Sequence, residues 1–139
     1  MIINGENLIL GRLATFAAKQ ALLKEEVKIV NCEKVIITGT RKNVFEKYKL
    51  RQSPGDVVHA PIVYRMSNML VRRTIRNMLP WKKTRGREAY KKIFCYIGIP
   101  SDLKDEKMIS LEKASVNKLK NLKYVPIKDV SAYLGQTIK

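Results

Sequence analysis

Apolar side chains recur along this chain in two rhythms, one helical and one strand-like. Leu10, Leu13, Ala14, Ala17, Ala18, Ala21 and Leu22 follow helical spacing, which predicts a helix with one buried stripe. Ahead of it, Ile2 and Ile3 end at the turn pair Asn4-Gly5 and read as a short strand. Behind it, Val27, Ile29 and Val30, then Val35, Ile36 and Ile37, are β-branched runs on either side of Cys32-Glu33-Lys34, the second ending at Gly39. Strand, helix, strand predicts a parallel βαβ unit.

The rhythm then turns helical again. Thr40 is placed to cap a helix running to about residue 50, with Val44, Phe45 and Tyr48 on its apolar side and Arg41, Lys42, Lys47 and Lys49 around the rest. Ser53-Pro54-Gly55-Asp56 and Ala60-Pro61 mark a long loop between Arg51 and Arg65, and loops of that length in a compact domain are usually functional or disordered. We expect it to face a nucleic acid. A helix is predicted from residue 67 to 79, stopped by Pro80. At about 100° per residue, Arg72, Arg76 and Arg73 gather on one side and Val71, Ile75, Met78 and Leu79 on the other, with Met69 out of place among the arginines.

Beyond Trp81, Gly86 is expected to begin a short helix through residue 90, and residues 93–97 alternate too little for an exposed strand. They read as a buried fourth strand, ending at Gly98-Ile99-Pro100. In the tail, Ser110 is predicted to cap a helix through about residue 119, and Pro126 to open a last helix carrying Val130, Tyr133 and Leu134, closed by Gly135. Both are expected to pack on the outside of the sheet. With 139 residues and 45% apolar content, the expectation is one domain over residues 1–139.

Charge changes the picture. The net charge is +16, and it is concentrated: residues 41–92 hold 15 bases against 3 acids, while residues 1–40 hold 5 against 4 and residues 93–139 hold 8 against 5. Between residues 65 and 92, ten bases face only Glu88. Such density repels itself unless a polyanion supplies countercharge, so RNA or DNA phosphate is the expected partner.

Other chemistries find little support. The stretch Asn4-Gly5-Glu6-Asn7-Leu8-Ile9-Leu10-Gly11 lacks the dinucleotide fingerprint, and no Gly-Lys-Ser/Thr phosphate loop occurs. The acids fall mostly in exposed-looking pairs such as Glu25-Glu26 and Asp105-Glu106, unsuited to paired acid–base work. The one histidine, His59, sits in the Pro/Gly loop without partners for a metal or a triad. Cys32 and Cys95, far apart in sequence, are expected to be buried reduced thiols. No basic leader and no long uncharged apolar run directs the chain to a membrane. For Trp81, between Pro80 and Lys82-Lys83, two uses stay open: stacking on an unpaired base or plugging an apolar gap.

The motifs fall in a familiar order. Gly11-Arg12-Leu13-Ala14, Val30-Asn31-Cys32-Glu33 with Ile37-Thr38-Gly39, Arg76-Asn77-Met78-Leu79-Pro80, Gly86-Arg87-Glu88-Ala89-Tyr90 and Tyr96-Ile97-Gly98-Ile99-Pro100 closely resemble the L-thirteen family of large-subunit ribosomal proteins, in its archaeal and eukaryotic branch, over about residues 1–100. Two positions depart from the family's pattern: it usually has glycine where Asn77 stands and often histidine or lysine where Trp81 stands. The resemblance implies a three-layer α/β/α fold with a small four-stranded parallel sheet, and a structural, non-catalytic role binding and organising ribosomal RNA.

On this reading the partners are large-subunit ribosomal RNA and neighbouring ribosomal proteins in the cytoplasm, with no cofactor, metal or small-molecule substrate. Arg72, Arg73, Arg76, Lys82, Lys83, Arg85 and Arg87 lead the candidates for phosphate contact, since guanidinium forks match phosphate oxygens in pairs and ammonium groups act as point charges. Arg41, Lys42, Lys47, Lys49, Arg51, Arg65, Lys91 and Lys92 extend the surface, Arg12 joins it at a helix start, and Trp81 stands among them. The rival reading is a free-standing RNA-binding regulator or RNA-modifying enzyme on a similar scaffold.

Overall fold

A computed structural model describes residues 1–52 and 64–136; the Pro/Gly loop and His59 lie outside them. The expected βαβ unit is present. β1 (Ile2–Asn4) and β2 (Val27–Val30) run parallel, with Ile3 opposite Ile29, and α1 (Leu10–Leu22) makes the crossover. β4 (Ile93–Cys95) pairs with β2 and β5 (Met108–Ile109) with β1, both parallel, giving the order β4-β2-β1-β5.

Strand alternation sends Ile3, Val27, Ile29 and Ile93 into one cluster with Leu13, Ala14 and Ala17 of α1 and with Val71 and Ile75 of α3 (Ser67–Asn77). On the opposite face, Ile2 and Val30 pack with Leu103, Tyr96 and Met108. The result is the expected three-layer α/β arrangement, with a thick helical layer on one side and a thin one on the other. Each fully buried Ile or Val is worth about 1.5–3 kcal/mol of transfer free energy, so the α1–sheet–α3 contact holds most of the core.

Several expectations need correction. The run 35–37 is not a strand of the parallel sheet: β3 (Ile36–Thr38) pairs antiparallel with β6 (Tyr124–Pro126), Ile37 opposite Val125. The link from β2 is far too short for a parallel crossover of about a dozen residues. Asn31 turns the chain instead. Its φ of 55° is left-handed, a region Asn tolerates better than most residues, and its side-chain amide donates to Asn4 Oδ1 at 2.9 Å. The fourth parallel strand is β5, two residues long and unreadable from alternation. Residues 93–97 are strand only to Cys95, and Phe94 is 38% exposed because the second face is thinly covered there.

No helix runs from Ser110 to 119. That stretch makes 3-10 turns at Glu112–Ala114 and Val116–Lys118, the second capped by Ser115, whose Oγ accepts from Asn117 N–H. Its backbone is committed to the loop before α1: Ile9 N–H donates to Ala114 O at 2.8 Å and Val116 N–H to Asn7 O at 2.9 Å. The last helix, α5 (Ile127–Tyr133), packs on α3 and on α2 (Arg41–Gln52) rather than on the parallel sheet. Tyr133 is exposed but stacks on Phe45, ring centroids 4.5 Å apart. α4 (Thr84–Lys91) starts two residues before Gly86, and Met78, past the end of α3, is exposed rather than buried.

Candidate nucleic-acid interface

α3 divides its faces as the wheel predicts. Leu70, Val71 and Ile75 are buried, which leaves the arginines to the outer side. They do not simply project into solvent. The Arg72 guanidinium lies 4.7 Å over the Tyr90 ring and that of Arg76 lies 5.0 Å over Trp81. Trp81 and Tyr90 meet at right angles, 5.1 Å between centroids. The four side chains form one cluster in the order Arg72–Tyr90–Trp81–Arg76, with a cation at each end of an aromatic pair, and each cation–ring contact is worth about 0.5–2 kcal/mol. Burial pushes the Tyr90 hydroxyl above the ordinary tyrosine range, against the opposing pull of Arg72 and Arg76. The Arg72 Nε is buried and has no hydrogen-bond partner among the described residues.

The turn carrying Trp81 is held from below. Lys83 N–H donates to Pro80 O and Gly86 N–H to Lys83 O, both at 3.0 Å, and Arg87 Nε donates to Trp81 O at 3.3 Å. A methyl group at Gly86 would collide with the Pro80 carbonyl, so glycine lets α4 start directly against the turn. Trp81 packs against Tyr90 and Arg76 and remains 39% exposed. Around it Lys82, Lys83, Arg85, Arg87 and Lys91 are all exposed, and among the described residues Lys82, Lys83, Arg85 and Arg87 take part in no ion pair.

A second basic region lies where α1, α2 and α3 converge. A cleft of about 570 Å³ is lined by Arg12, Lys47, Arg51, Thr74 and Asn77 among others. No acid occupies the first turn of α1, so the positive end of its dipole adds to the three cations. Arg51 sits 5.4 Å over the Tyr48 ring, whose hydroxyl burial raises above its usual range. Arg12 Nη1 donates to Lys113 O at 3.2 Å. Arg73 and Arg51 border a neighbouring hollow with Tyr64, which adjoins this cleft at Tyr48, Thr74 and Asn77.

The remaining candidates are more scattered. Lys42 and Lys49 are exposed on α2. Arg41 lies 5.1 Å over Phe45 and 3.9 Å from Asp129 Oδ2. Arg65 is exposed, its carbonyl accepting from Ser131 Oγ at 2.7 Å. Lys92 is turned away, its Nζ donating to Lys24 O at 2.9 Å. Sequence reasoning did not assign Tyr48 or Tyr90 to the site. The Tyr48–Arg51 pair was legible as an i, i+3 spacing on one helix, whereas Tyr90 meets Arg72 only through the tertiary fold.

Both cysteines are free thiols, Cys32 buried and Cys95 partly so. The fold nevertheless brings them together: a hydrogen bond with Cys95, then burial, holds the Cys32 thiol well above its ordinary pKa. Among the described residues no three His, Cys, Asp or Glu side chains gather as a metal site would require, and no helix is long and apolar enough to cross a membrane.

Comparison with known proteins adds an independent line. The family model of Ribosomal protein L13 matches residues 1–102. The chain is 40% identical over 134 residues to the large ribosomal subunit protein uL13 of Methanococcoides burtonii, covering 96% of each chain. It is 39% identical over 135 residues to that of Archaeoglobus fulgidus, covering 96% of this chain and 86% of the relative. With that of Methanosarcina barkeri it shares 38% identity over 135 residues, again 96% of both.

Proposed function

The chain belongs to the ribosomal protein L13 family, and from that premise we propose that it is a structural constituent of the large ribosomal subunit, not an enzyme. It binds and organises ribosomal RNA through the outer surfaces of α2, α3 and α4, in contact with neighbouring ribosomal proteins and in the cytoplasm. The observation that carries this reading is the exposed cationic surface around Trp81, where Lys82, Lys83, Arg85 and Arg87 pair with no acid among the described residues. Charge left unneutralised within the fold favours a polyanion outside it.

The mechanism is electrostatic. Each phosphate neutralised by a lysine or arginine releases condensed counterions, which makes affinity fall steeply with salt and fixes position more than it reads sequence. Arg12, Lys47, Arg51 and Arg73 offer a second set of contacts around the α1–α2–α3 cleft. Lys42, Lys49, Arg65 and Lys91 extend the surface outward.

The direct test is sedimentation of a cell lysate through a sucrose gradient at moderate and then high salt, following this chain by mass spectrometry. Stoichiometric migration with the large subunit is expected. A peak among free proteins at moderate salt overturns the proposal and favours a free-standing RNA-binding regulator.

A further inference from the structure

The best-defined part of the basic surface is not a lysine or an arginine. Trp81 is the only tryptophan in the chain, and it sits 39% exposed at the centre of the cationic turn. A tryptophan left this open loses apolar burial worth a large share of its contribution to a core. Among the described residues its ring contacts are those with Arg76 and Tyr90, and the rest of its surface stays open.

Its geometry is nevertheless tightly set. Arg76 lies over the ring and Tyr90 meets it at right angles. Its backbone N–H donates to Leu79 O at 2.7 Å, its backbone carbonyl accepts from Arg87 Nε, and Gly86 brings α4 against the preceding proline. The ring is therefore preorganised, so a planar partner would meet it without the entropy cost of ordering a loose side chain. Lys82, Lys83, Arg85 and Arg87 follow it within six residues and are exposed, close enough in the chain to meet phosphates adjoining a stacked base.

We propose that the exposed side of Trp81 is a stacking platform for one unpaired RNA base, with Arg76 behind the ring and the flanking cations on the adjoining phosphates. This rests on the RNA-binding reading above and deepens it by naming the ligand: a nucleotide in a loop, bulge or single-stranded junction. A base inside a duplex keeps both faces in its own stack and cannot present one to the indole. The aromatic contact therefore supplies what phosphate contacts lack, a preference for unpaired over paired RNA.

The single tryptophan makes the test clean. The full chain is titrated with a short oligoadenylate and with a blunt RNA duplex of equal phosphate number, reading both indole emission and the anisotropy of labelled RNA. The oligoadenylate is expected to quench Trp81 emission to saturation, while the duplex binds with little quenching. Trp81→Leu is expected to lose about tenfold or more in affinity for the oligoadenylate, the scale of one base–aromatic stack, and to keep its affinity for the duplex. Trp81→Phe, which preserves a ring, retains most of the binding and guards against a folding defect. If both RNAs bind without quenching, or Trp81→Leu binds the oligoadenylate as the parent does, stacking is overturned and the ribosomal RNA reading stands. If neither RNA binds, both are overturned.

Discussion

Glycine 86 shows how one missing methyl decides a local structure. In an open helix, Gly→Ala gains about 1 kcal/mol of helix propensity. Here the added carbon would strike the Pro80 carbonyl, so Gly86→Ala is expected to cost about 1–3 kcal/mol as an overpacked contact, measured as a lower urea midpoint. A loss of Trp81 order, seen as a red-shifted emission, should accompany it. Cys32 offers a second test. Its thiol pKa is raised by Cys95 and by burial, so the protonated thiol favours the folded state below the ordinary thiol pKa. That contribution is lost as pH rises through and beyond the ordinary value, because the unfolded chain ionises first. Alkylation at mildly alkaline pH, followed by mass spectrometry, should therefore modify Cys95 well before Cys32, with Cys32 reacting only on unfolding.

At the scale of elements, α3 is a strut with one hydrophobic face, and on its other side Arg72 and Arg76 pack on aromatic rings. Arg72 has its Nε buried and its guanidinium over Tyr90. Arg72→Glu would put a carboxylate against an aromatic face and is expected to lower the melting temperature. Lys82→Glu with Lys83→Glu, both on exposed positions, is expected to leave stability within about 0.5 kcal/mol and still weaken RNA binding. Thermal melts and RNA titrations of the two variants separate the roles. Equal destabilisation by both would contradict the division drawn here. The same scale explains the tail: a helix after Ser110 lost to 3-10 turns because the backbone of residues 7–9 takes up Ala114 and Val116.

For the whole molecule the governing fact is the placement of charge. Of 28 basic residues, 15 fall in residues 41–92, and the fold sets α2, α3 and α4 of that region around α1 and α5, away from the thinly covered sheet face. If Lys82, Lys83, Arg85 and Arg87 each neutralise a phosphate, their replacement by Gln should flatten the plot of log affinity against log salt by about 0.7 for each contact on single-stranded RNA. An unchanged slope would mean that the phosphates lie elsewhere, with the α1–α2–α3 cleft the next region to test.

The βαβ start, the amphipathic α1 and α3, the basic middle of the chain and the absence of a dinucleotide fingerprint were legible from residues alone, because they depend on local periodicity and composition. The motif order also pointed to the right family, since short segments such as Gly11-Arg12-Leu13-Ala14 keep their identity whatever surrounds them. What the sequence left open depends on partners far away in the chain. β3 pairs with β6 across more than eighty residues, and two-residue β5 exists only because β1 offers it an edge. Arg72 and Arg76 meet Tyr90 and Trp81 because a glycine lets two helices close on one turn. Local rules set which segments can be helix or strand and where charge collects; long-range packing alone decides which strands are neighbours and which arginines pack against aromatic rings.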